Sequence, residues 1–259
     1  MGFRGRRSSA LRWLAAGAGA AAGAYAAYVA TTWARYGRAA GVRHPTREDR
    51  ELDEFMASYD VVERHQIDVL APASVTLRAA REMDMGRVPL VRAIFRGREL
   101  IMRDGGRDGD DAPGGAAGNG RAEPGRSGGF VADMKAIGWG VLLDSERQLV
   151  MGGVTKPWQA SPVFRAVPPE EFASFAEPDY VKIVFTLRVD ATGPDTSIFL
   201  TETRAVATDR GARDKFRWYW SFLSPGIILI RRALLRPLKA EAERLAQPSA
   251  AGSSATAAG

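Results

Sequence analysis

The chain holds few of the residue types that usually perform covalent or metal-assisted catalysis. It has 259 residues, no cysteine and two histidines, His44 and His65. These counts exclude a thiolate nucleophile, an iron–sulfur cluster, a Cys-ligated zinc and a site with several His ligands. His65 lies in VVERHQIDVL, which predicts a strand with His65 on the face of Ile67 and Val69. A buried His can act as a base near neutral pH, but no Ser or Cys nucleophile motif accompanies it, which favours a structural or cavity-lining role.

Glu202 and Arg204 form the second candidate group. They lie two residues apart in a predicted strand, so they share one face, while Thr201 and Thr203 share the other. A Glu–Arg pair that faces a cavity can orient a polar substrate or shift a pKa. A salt bridge between neighbouring strands is the simpler interpretation. The candidate partners for that salt bridge are Arg165, Lys182 and Arg188. The sequence therefore offers His65, Glu202 and Arg204 as candidate catalytic residues and leaves open whether the protein is an enzyme.

No motif for a cofactor, metal ion or nucleotide accompanies these residues. The glycines of residues 103–128 have no strand before them and no Lys-Ser/Thr after them, and the aspartates there fit no EF-hand spacing. The net charge of +6 is unevenly distributed, because residues 1–50 carry +7, residues 212–246 carry +5 and residues 51–211 carry about −6. A nucleic-acid-binding domain usually spreads basic charge over its folded face. We therefore predict no metal, no cofactor and no nucleic-acid partner.

Hydrophobic periodicity predicts the elements that position these residues. After a strand over 61–70, helices are expected over 75–83, with Ser74 as N-cap, and over 88–101. A short helix is expected over 130–137. Extended segments are predicted over 139–143, 148–154, 161–167, 180–189 and 197–207. Because Asp144-Ser145-Glu146 and Gly193-Pro194 are turn sequences between neighbouring segments, the pattern predicts an antiparallel sheet of six strands.

A long C-terminal helix is predicted over 212–246, with Asp209 as its N-cap. Ser224 before Pro225 is a signal for a helix restart, so a bend is expected there and another near Pro237. The stretch FRWYWSFLSPGIILI is strongly apolar, but arginines lie close to both of its ends. This favours a helix packed against a sheet over a second membrane span.

The N-terminal segment is typical of a membrane helix in length but not in composition. The 22 residues between Arg12 and Arg35 carry no charge, and as a helix they would span about 33 Å. Eleven are Ala and three are Gly, which insert only marginally. A retained single-pass anchor with a cytoplasmic domain is the favoured interpretation, and a cleavable signal peptide or a soluble Ala-rich helix are the alternatives. Gly19 and Gly23 have the spacing of a helix-dimer motif.

The predicted organisation has five parts. They are a basic N-terminus (1–12), a transmembrane helix (13–34), a juxtamembrane linker (35–57), a folded domain (58–246) and a disordered tail (247–259). Residues 103–128 are expected as a flexible insert in the domain. They contain nine Gly, two Pro and no aliphatic or aromatic side chain larger than Ala, so they cannot bury enough surface to fold.

The element order and three stretches resemble the START-like superfamily, called SRPBCC, which includes polyketide cyclase-like proteins. The stretches are ERHQIDVLAPASVTLRAAREMD, FLTETRAVATD and FRWYWSFLSPGIILIRR, and the resemblance covers about residues 58–246. The chain is similar in particular to bacterial members with an N-terminal membrane segment. The resemblance implies an α+β helix-grip fold, in which an antiparallel sheet wraps around a long C-terminal helix and leaves a cavity for an apolar ligand.

The resemblance also implies that bulky and polar side chains of the sheet and helix line this cavity. The residues expected there are Trp139, Trp158, Phe185, Thr201, Thr203, Trp218, Tyr219 and Phe222. An ordinary filled core is the alternative. We predict a membrane-anchored domain that binds a hydrophobic small molecule such as a lipid, a quinone or a polyketide-like compound. The alternatives are a cyclase or dehydratase-type enzyme that uses His65 or Glu202, and a partner of another membrane protein that binds no ligand.

Overall fold

The computed structural model describes residues 4–38, 49–84, 128–159 and 162–247. The helix predicted over 88–101 and all but the last residue of the insert at 103–128 lie outside the described residues, as does the tail from residue 248. The expectations for these three segments therefore stay predictions.

The described residues contain six helices and five strands, which confirms the predicted α+β class. The helices are α1 (Arg4–Arg35), α2 (Arg50–Met56), α3 (Ala73–Glu82), α4 (Phe130–Ala136), α5 (Pro169–Phe172) and α6 (Arg210–Ala246). The strands are β1 (Val61–Val69), β2 (Gly140–Asp144), β3 (Gln148–Thr155), β4 (Val181–Gly193) and β5 (Thr196–Ala207).

All five strands belong to one antiparallel sheet with the order β1-β5-β4-β3-β2. The two predicted turns are confirmed. The amide of Ser145 donates to the carbonyl of Gln148 at 2.9 Å between β2 and β3, and Gly193 pairs with Thr196 between β4 and β5. Each short turn therefore fixes the register of its own strand pair, β2 with β3 and β4 with β5.

The prediction of a sixth strand over 161–167 is wrong. In the described part of this segment, a single bridge joins Arg165 to Val154, and no longer ladder forms. Pro162 lies within the segment and Pro168 directly follows it. Proline has no N–H to donate to a neighbouring strand, so this sequence is poorly suited to a continuous ladder.

Alternating side chains divide the sheet into two faces, which we call the α6 face and the α2 face after the helices that cover them. On the α6 face, Val69 and Phe199 pack with Leu238 near the end of α6. Val61 and Ala205 belong to a cluster that includes the first turns of the same helix. Helix α6 therefore runs along the β1–β5 edge of the sheet.

The α2 face is covered by a segment that was predicted to be a linker. Asp49 caps α2, since its Oδ1 accepts a hydrogen bond from the amide of Leu52 at 3.0 Å. Leu52 and Met56 are buried and pack with Val150 and Val184 of the sheet. The linker predicted over 35–57 thus includes part of the folded core.

Helix α6 begins as predicted, because Asp209 accepts a hydrogen bond from the amide of Ala212 at 2.9 Å. It then continues through Pro225 and Pro237, so the predicted restart at Ser224 is wrong. Ser224 is fully buried and its hydroxyl shares a hydrogen bond of 2.9 Å with the hydroxyl of Tyr28 in α1. The side chain therefore joins two helices instead of capping one.

The cap predicted for α3 is also wrong. The helix begins at Ala73, so Ser74 lies inside its first turn, and Pro72 takes the cap position without a side-chain hydrogen bond. Proline is favoured close to a helix start because its fixed φ suits the entry into the first turn.

The predicted N-terminal helix is present as α1, but a membrane-spanning role is not supported. Across the described ranges, no helix combines the length and apolar character that a membrane crossing requires. Ala and Gly dominate the predicted span over 13–34 and offer little apolar surface. Nothing lies within 4 Å of a Cβ built on Gly19 or Gly23, and dimerisation through them stays a prediction.

Candidate functional site

His65 occupies β1 on the α6 face, together with Ile67 and Val69, as the alternation of the strand predicted. It pairs with Thr201 of β5. Its side chain is nine-tenths buried, and its Nε2 atom has no hydrogen-bond partner among the described residues. The Oε2 atom of Glu63 lies 3.8 Å from Nε2, which is beyond hydrogen-bond distance.

A second unpartnered polar atom lies on the same face. Thr203 of β5 pairs with Glu63 on one side and with Phe185 on the other, so it neighbours His65 diagonally. Its Oγ1 atom is buried and makes no hydrogen bond within the described part of the chain. A buried polar atom without a partner costs about 1–3 kcal/mol of stability. Two such atoms side by side distinguish this position from the rest of the face, where the buried hydroxyls of Thr155 and Ser197 have partners.

These polar residues form an island between two apolar clusters, and we call Glu63, His65, Thr201 and Thr203 the polar island. The cluster of Val69 and Leu238 lies beyond one end, and the cluster of Val61 and Phe216 lies beyond the other. The segment of α6 between Phe216 and Leu238 therefore passes over the island. Its apolar residues between 225 and 235 are half-buried or exposed, unlike those of the two clusters.

The burial of the island shifts the titration of its ionisable groups. Desolvation lowers the pKa of His65, and the positive charges of Arg231 and Arg232 lower it further. Desolvation raises the pKa of Glu63, against the opposing effect of the same two arginines. Burial also lowers the pKa of Arg231 to about 10, so this guanidinium stays charged at neutral pH. At neutral pH the imidazole of His65 is therefore uncharged, with one nitrogen that donates and one that accepts.

Sequence reasoning missed Glu63 and Arg231 as parts of this site. The alternation of side chains along β1 could have predicted Glu63, because residues 63 and 65 of a strand share a face. Arg231 was noted among the arginines that end the apolar stretch and was not related to His65. Its relation to His65 depends on how α6 crosses the sheet, which no local pattern encodes.

The expected cavity-lining aromatic residues fall into two groups. Trp139 and Phe185 pack inside the core of the α6 face, with ring centroids 5.0 Å apart, and Trp139 stacks on Phe164. Tyr219 is buried near Phe216, and Trp158 packs at the edge of the same cluster. These side chains fill core around the polar island.

Trp218 and Phe222 do not contribute to this core, unlike the sequence-based expectation. They form a tilted pair at 4.9 Å on the outer side of α6, and both are exposed. The apolar stretch of α6 has aromatic residues all round the helix, so its sequence did not show which of them face the sheet.

Glu202 and Arg204 lie on the α2 face, away from the polar island. Arg64 of β1 pairs with Glu202 through two hydrogen bonds of 2.7 and 2.9 Å, and Arg204 donates to the same carboxylate at 2.7 Å. Arg204 also donates to Asp53 and to the carbonyl of Met56. Both carboxylate oxygens are therefore engaged, which argues against proton transfer by Glu202 and supports the salt-bridge interpretation.

The partners predicted for this salt bridge are wrong. Arg165 pairs with Glu177, and Arg188 pairs with Asp190. Lys182 donates to the carbonyl of Ala173 at 2.7 Å. The register of β1 and β5 places Arg64 directly opposite Glu202, and this pairing was not deduced from the sequence.

A small polar cleft lies on the α2 face beside this network. Its volume is about 70 Å³, and its lining includes Arg64, Gln66, Thr186, Arg188 and Glu202. The buried Oγ1 of Thr186 has no hydrogen-bond partner in the described ranges. A polar cleft of this size can hold a few water molecules, so solvent can satisfy this hydroxyl.

Comparison with known proteins does not identify the chain. No protein-family model matches it, and no curated protein matches it. A hypothetical protein from Helicobacter pylori matches at a TM-score of 0.34 and 9% identity, over 76% of this chain and 95% of that one. Zhui aromatase/cyclase from a Streptomyces species matches at a TM-score of 0.26 and 12% identity, over 74% of this chain and 98% of that one. Both are distant matches that support no statement about activity, and membership of the START-like superfamily stays a prediction.

Proposed function

We propose that this protein binds a hydrophobic small molecule that carries one polar group. The polar group binds at the polar island, and the apolar body lies against α6. The observation that carries the proposal is the pair of buried, unpartnered atoms on the α6 face, His65 Nε2 and Thr203 Oγ1. A ligand group between them would satisfy both atoms and offset their desolvation cost.

The chemistry of the two atoms restricts the polar group. A neutral imidazole nitrogen and a hydroxyl can each accept or donate one hydrogen bond, depending on tautomer and rotamer. A hydroxyl, carbonyl or carboxyl oxygen can engage both. Lipids, quinones and polyketide-like compounds carry such oxygens on an apolar body, and these are the proposed ligand classes.

The surroundings of the island suit the apolar part of such a molecule. Half-buried side chains of the strand and helix adjoin it, including Ile67 and Leu235 on one side and Leu223 and Ile227 on the other. Burial of their remaining exposed surface by a ligand contributes roughly 25 cal/mol for each Å² removed from water. Binding sites of this kind are mostly apolar, with a few polar groups that fix orientation.

The test is native mass spectrometry of the full chain after gentle purification, followed by extraction and identification of what co-purifies. We expect an apolar adduct near one per chain. The variant Thr203→Val keeps the shape of the side chain and removes the hydroxyl, so adduct occupancy should fall several-fold.

The matched control is Thr155→Val. Its hydroxyl is also buried, but it donates to the carbonyl of Val163 at 2.8 Å and lies away from the island. Occupancy should match that of the wild type. A wild-type chain that stays free of adduct, even after incubation with a membrane-lipid extract, would overturn the proposal.

A catalytic function is the second candidate, and the uncharged His65 favours it. A neutral imidazole in an apolar site can take a proton from a bound molecule, as a cyclase or dehydratase requires. Comparison of the molecules that co-purify with wild type and with His65→Gln separates the two functions. An enzyme would accumulate a different molecule, its substrate, in the variant. A binding protein would hold the same molecule at lower occupancy.

A further inference from the structure

The exposed apolar surface of this protein is concentrated on two helices. In the described residues, nine large hydrophobic side chains are exposed, and six of them belong to α1 or α6. These six are Trp13, Tyr25, Trp33, Trp218, Phe222 and Leu229. Large exposed aromatic groups that cluster in this way mark a surface that contacts something else.

Polar contacts hold the two helices together in one arrangement. The hydroxyl of Tyr25 donates to the carbonyl of Phe222 at 2.8 Å. Arg217 donates to the carbonyl of Trp33 through Nε at 3.1 Å and Nη2 at 2.8 Å, and its guanidinium lies 4.3 Å from the Trp33 ring centre. The exposed aromatic residues of α1 and α6 therefore adjoin each other.

The large exposed apolar residues of α6 follow one line along the helix. Trp218, Phe222 and Leu229 are followed on the same side by Arg232 and Arg236, at the spacing of a single helical face. All five are exposed, and we call them the outer stripe. The outer stripe points away from the sheet, because the opposite side of the helix carries the buried residues Phe216 and Trp220.

The composition of this surface suits a lipid bilayer better than another protein copy. Trp and Tyr have an apolar body and a polar edge, and they concentrate at the boundary between membrane and water. Helix α6 has nine basic and three acidic residues, and α1 has five arginines and no acid. A second copy would bring the same positive charge, which repels, whereas anionic lipid headgroups attract it.

We propose that the outer stripe, with Tyr25 and Trp33, docks this protein on the surface of an anionic lipid bilayer. The aromatic side chains enter the headgroup region, and Arg232 and Arg236 contact phosphate groups. The α6 face of the sheet lies on the other side of the same helix. The docking is independent of whether that face holds a ligand.

The experiment is flotation of the full chain with vesicles of phosphatidylcholine alone or mixed with phosphatidylglycerol. We expect wild type to float with the anionic vesicles and several-fold less with the neutral ones, and binding should weaken at high salt. The double variant Trp218→Ser/Phe222→Ser should lose most of the binding. Arg232→Gln/Arg236→Gln should lose the preference for anionic vesicles.

The matched control is Val163→Ser, which removes an exposed apolar side chain that belongs to neither helix. It should float like the wild type. Circular dichroism and urea unfolding check that the variants fold, since the altered side chains are exposed. Failure of wild type to bind anionic vesicles, or unchanged binding of both double variants, would overturn the proposal. So would a wild-type dimer in solution that Trp218→Ser/Phe222→Ser converts to a monomer without any vesicle binding.

Discussion

At the pairing of β1 with β5, the two faces of the sheet treat their buried polar groups in opposite ways. On the α2 face, Glu202 receives hydrogen bonds from Arg64 and Arg204, and Arg204 also reaches α2. On the α6 face, His65 and Thr203 bury polar atoms that have no hydrogen-bond partner in the described residues. Adjacent residues of the same two strands supply both arrangements.

The contrast separates a structural role from a binding role. A charged network whose groups pair with each other stabilises the contact between sheet and α2, and it leaves no group free for a ligand. Polar atoms without a partner destabilise the isolated protein and become favourable when a ligand pairs with them. Thr186 is a partial exception on the α2 face, but it adjoins a polar cleft large enough for water.

The largest expected effect comes from breaking the paired face. Glu202→Ala leaves the buried guanidinium of Arg204 and the neighbouring Arg64 without their shared carboxylate, so we expect a loss of about 3 kcal/mol in the free energy of unfolding. Urea unfolding of the full chain measures it. The control is Glu177→Ala, which breaks the exposed pair with Arg165 and should cost less than about 1 kcal/mol. Equal losses in both variants would remove the distinction between the faces.

A smaller effect distinguishes a partnered threonine from an unpartnered one. Thr76 is fully buried, and its hydroxyl shares a hydrogen bond of 2.9 Å with the hydroxyl of Ser197. Thr76→Val should therefore cost about 1 kcal/mol of unfolding free energy. Thr203→Val removes a hydroxyl that has no partner, so the ligand-free protein should lose less than about 0.5 kcal/mol or gain stability. A loss at Thr203 as large as at Thr76 would show that its hydroxyl is satisfied within the chain.

The smallest effect concerns the pH dependence of stability. The pKa of His65 is lower in the folded protein, so the unfolded chain binds this proton more readily. His65 therefore contributes to the free energy of unfolding above its pKa in the unfolded chain, which is about 6.5, and this contribution is lost as the pH falls below that value. His65→Leu removes this contribution. The variant should lose less stability than wild type between pH 7.5 and 5.5.

Burial raises the pKa of Glu63 above its ordinary value of 4.5, so this group acts in the opposite direction and lowers stability as the pH rises above that value. Glu63 is present both in wild type and in His65→Leu. The difference between their curves of unfolding free energy against pH therefore reports on His65. A pH dependence that is identical in the two proteins would contradict an uncharged, desolvated imidazole.

Much of the fold was accessible from local sequence patterns. Alternation placed β1, β4 and β5, turn residues placed the two hairpins, and Asp209 marked the start of α6 within two residues. The segment over 161–167 was mistaken for a strand because its composition suits one while its prolines prevent pairing. Helix α2 was missed because seven residues in a charged stretch carry too little periodicity to predict a helix.

The site was accessible only in part. Strand period correctly grouped His65 with Ile67 and Val69 in β1, and it separated Thr203 from Glu202 and Arg204 in β5. It did not give the register that brings His65 and Thr203 to one face of the sheet. What it could not show was which of these faces the long helix covers, since both carry apolar residues. For the same reason Trp218 and Phe222 were assigned to the interior, because an apolar stretch with aromatic residues on every side does not reveal its buried face.

The most direct test of the binding role is nuclear magnetic resonance of the two histidine side chains. The chain contains only His44 and His65, so ¹⁵N-histidine labelling gives a spectrum that a His44→Gln variant assigns. The probes are decanoate, naphthol and a naphthoquinone, each added to the full chain. The account predicts that at least one of them binds and changes the Nε2 resonance of His65 while the resonances of His44 stay constant. Binding of a probe that leaves the nitrogen resonances of His65 unchanged, or no binding by any of the three, would contradict it.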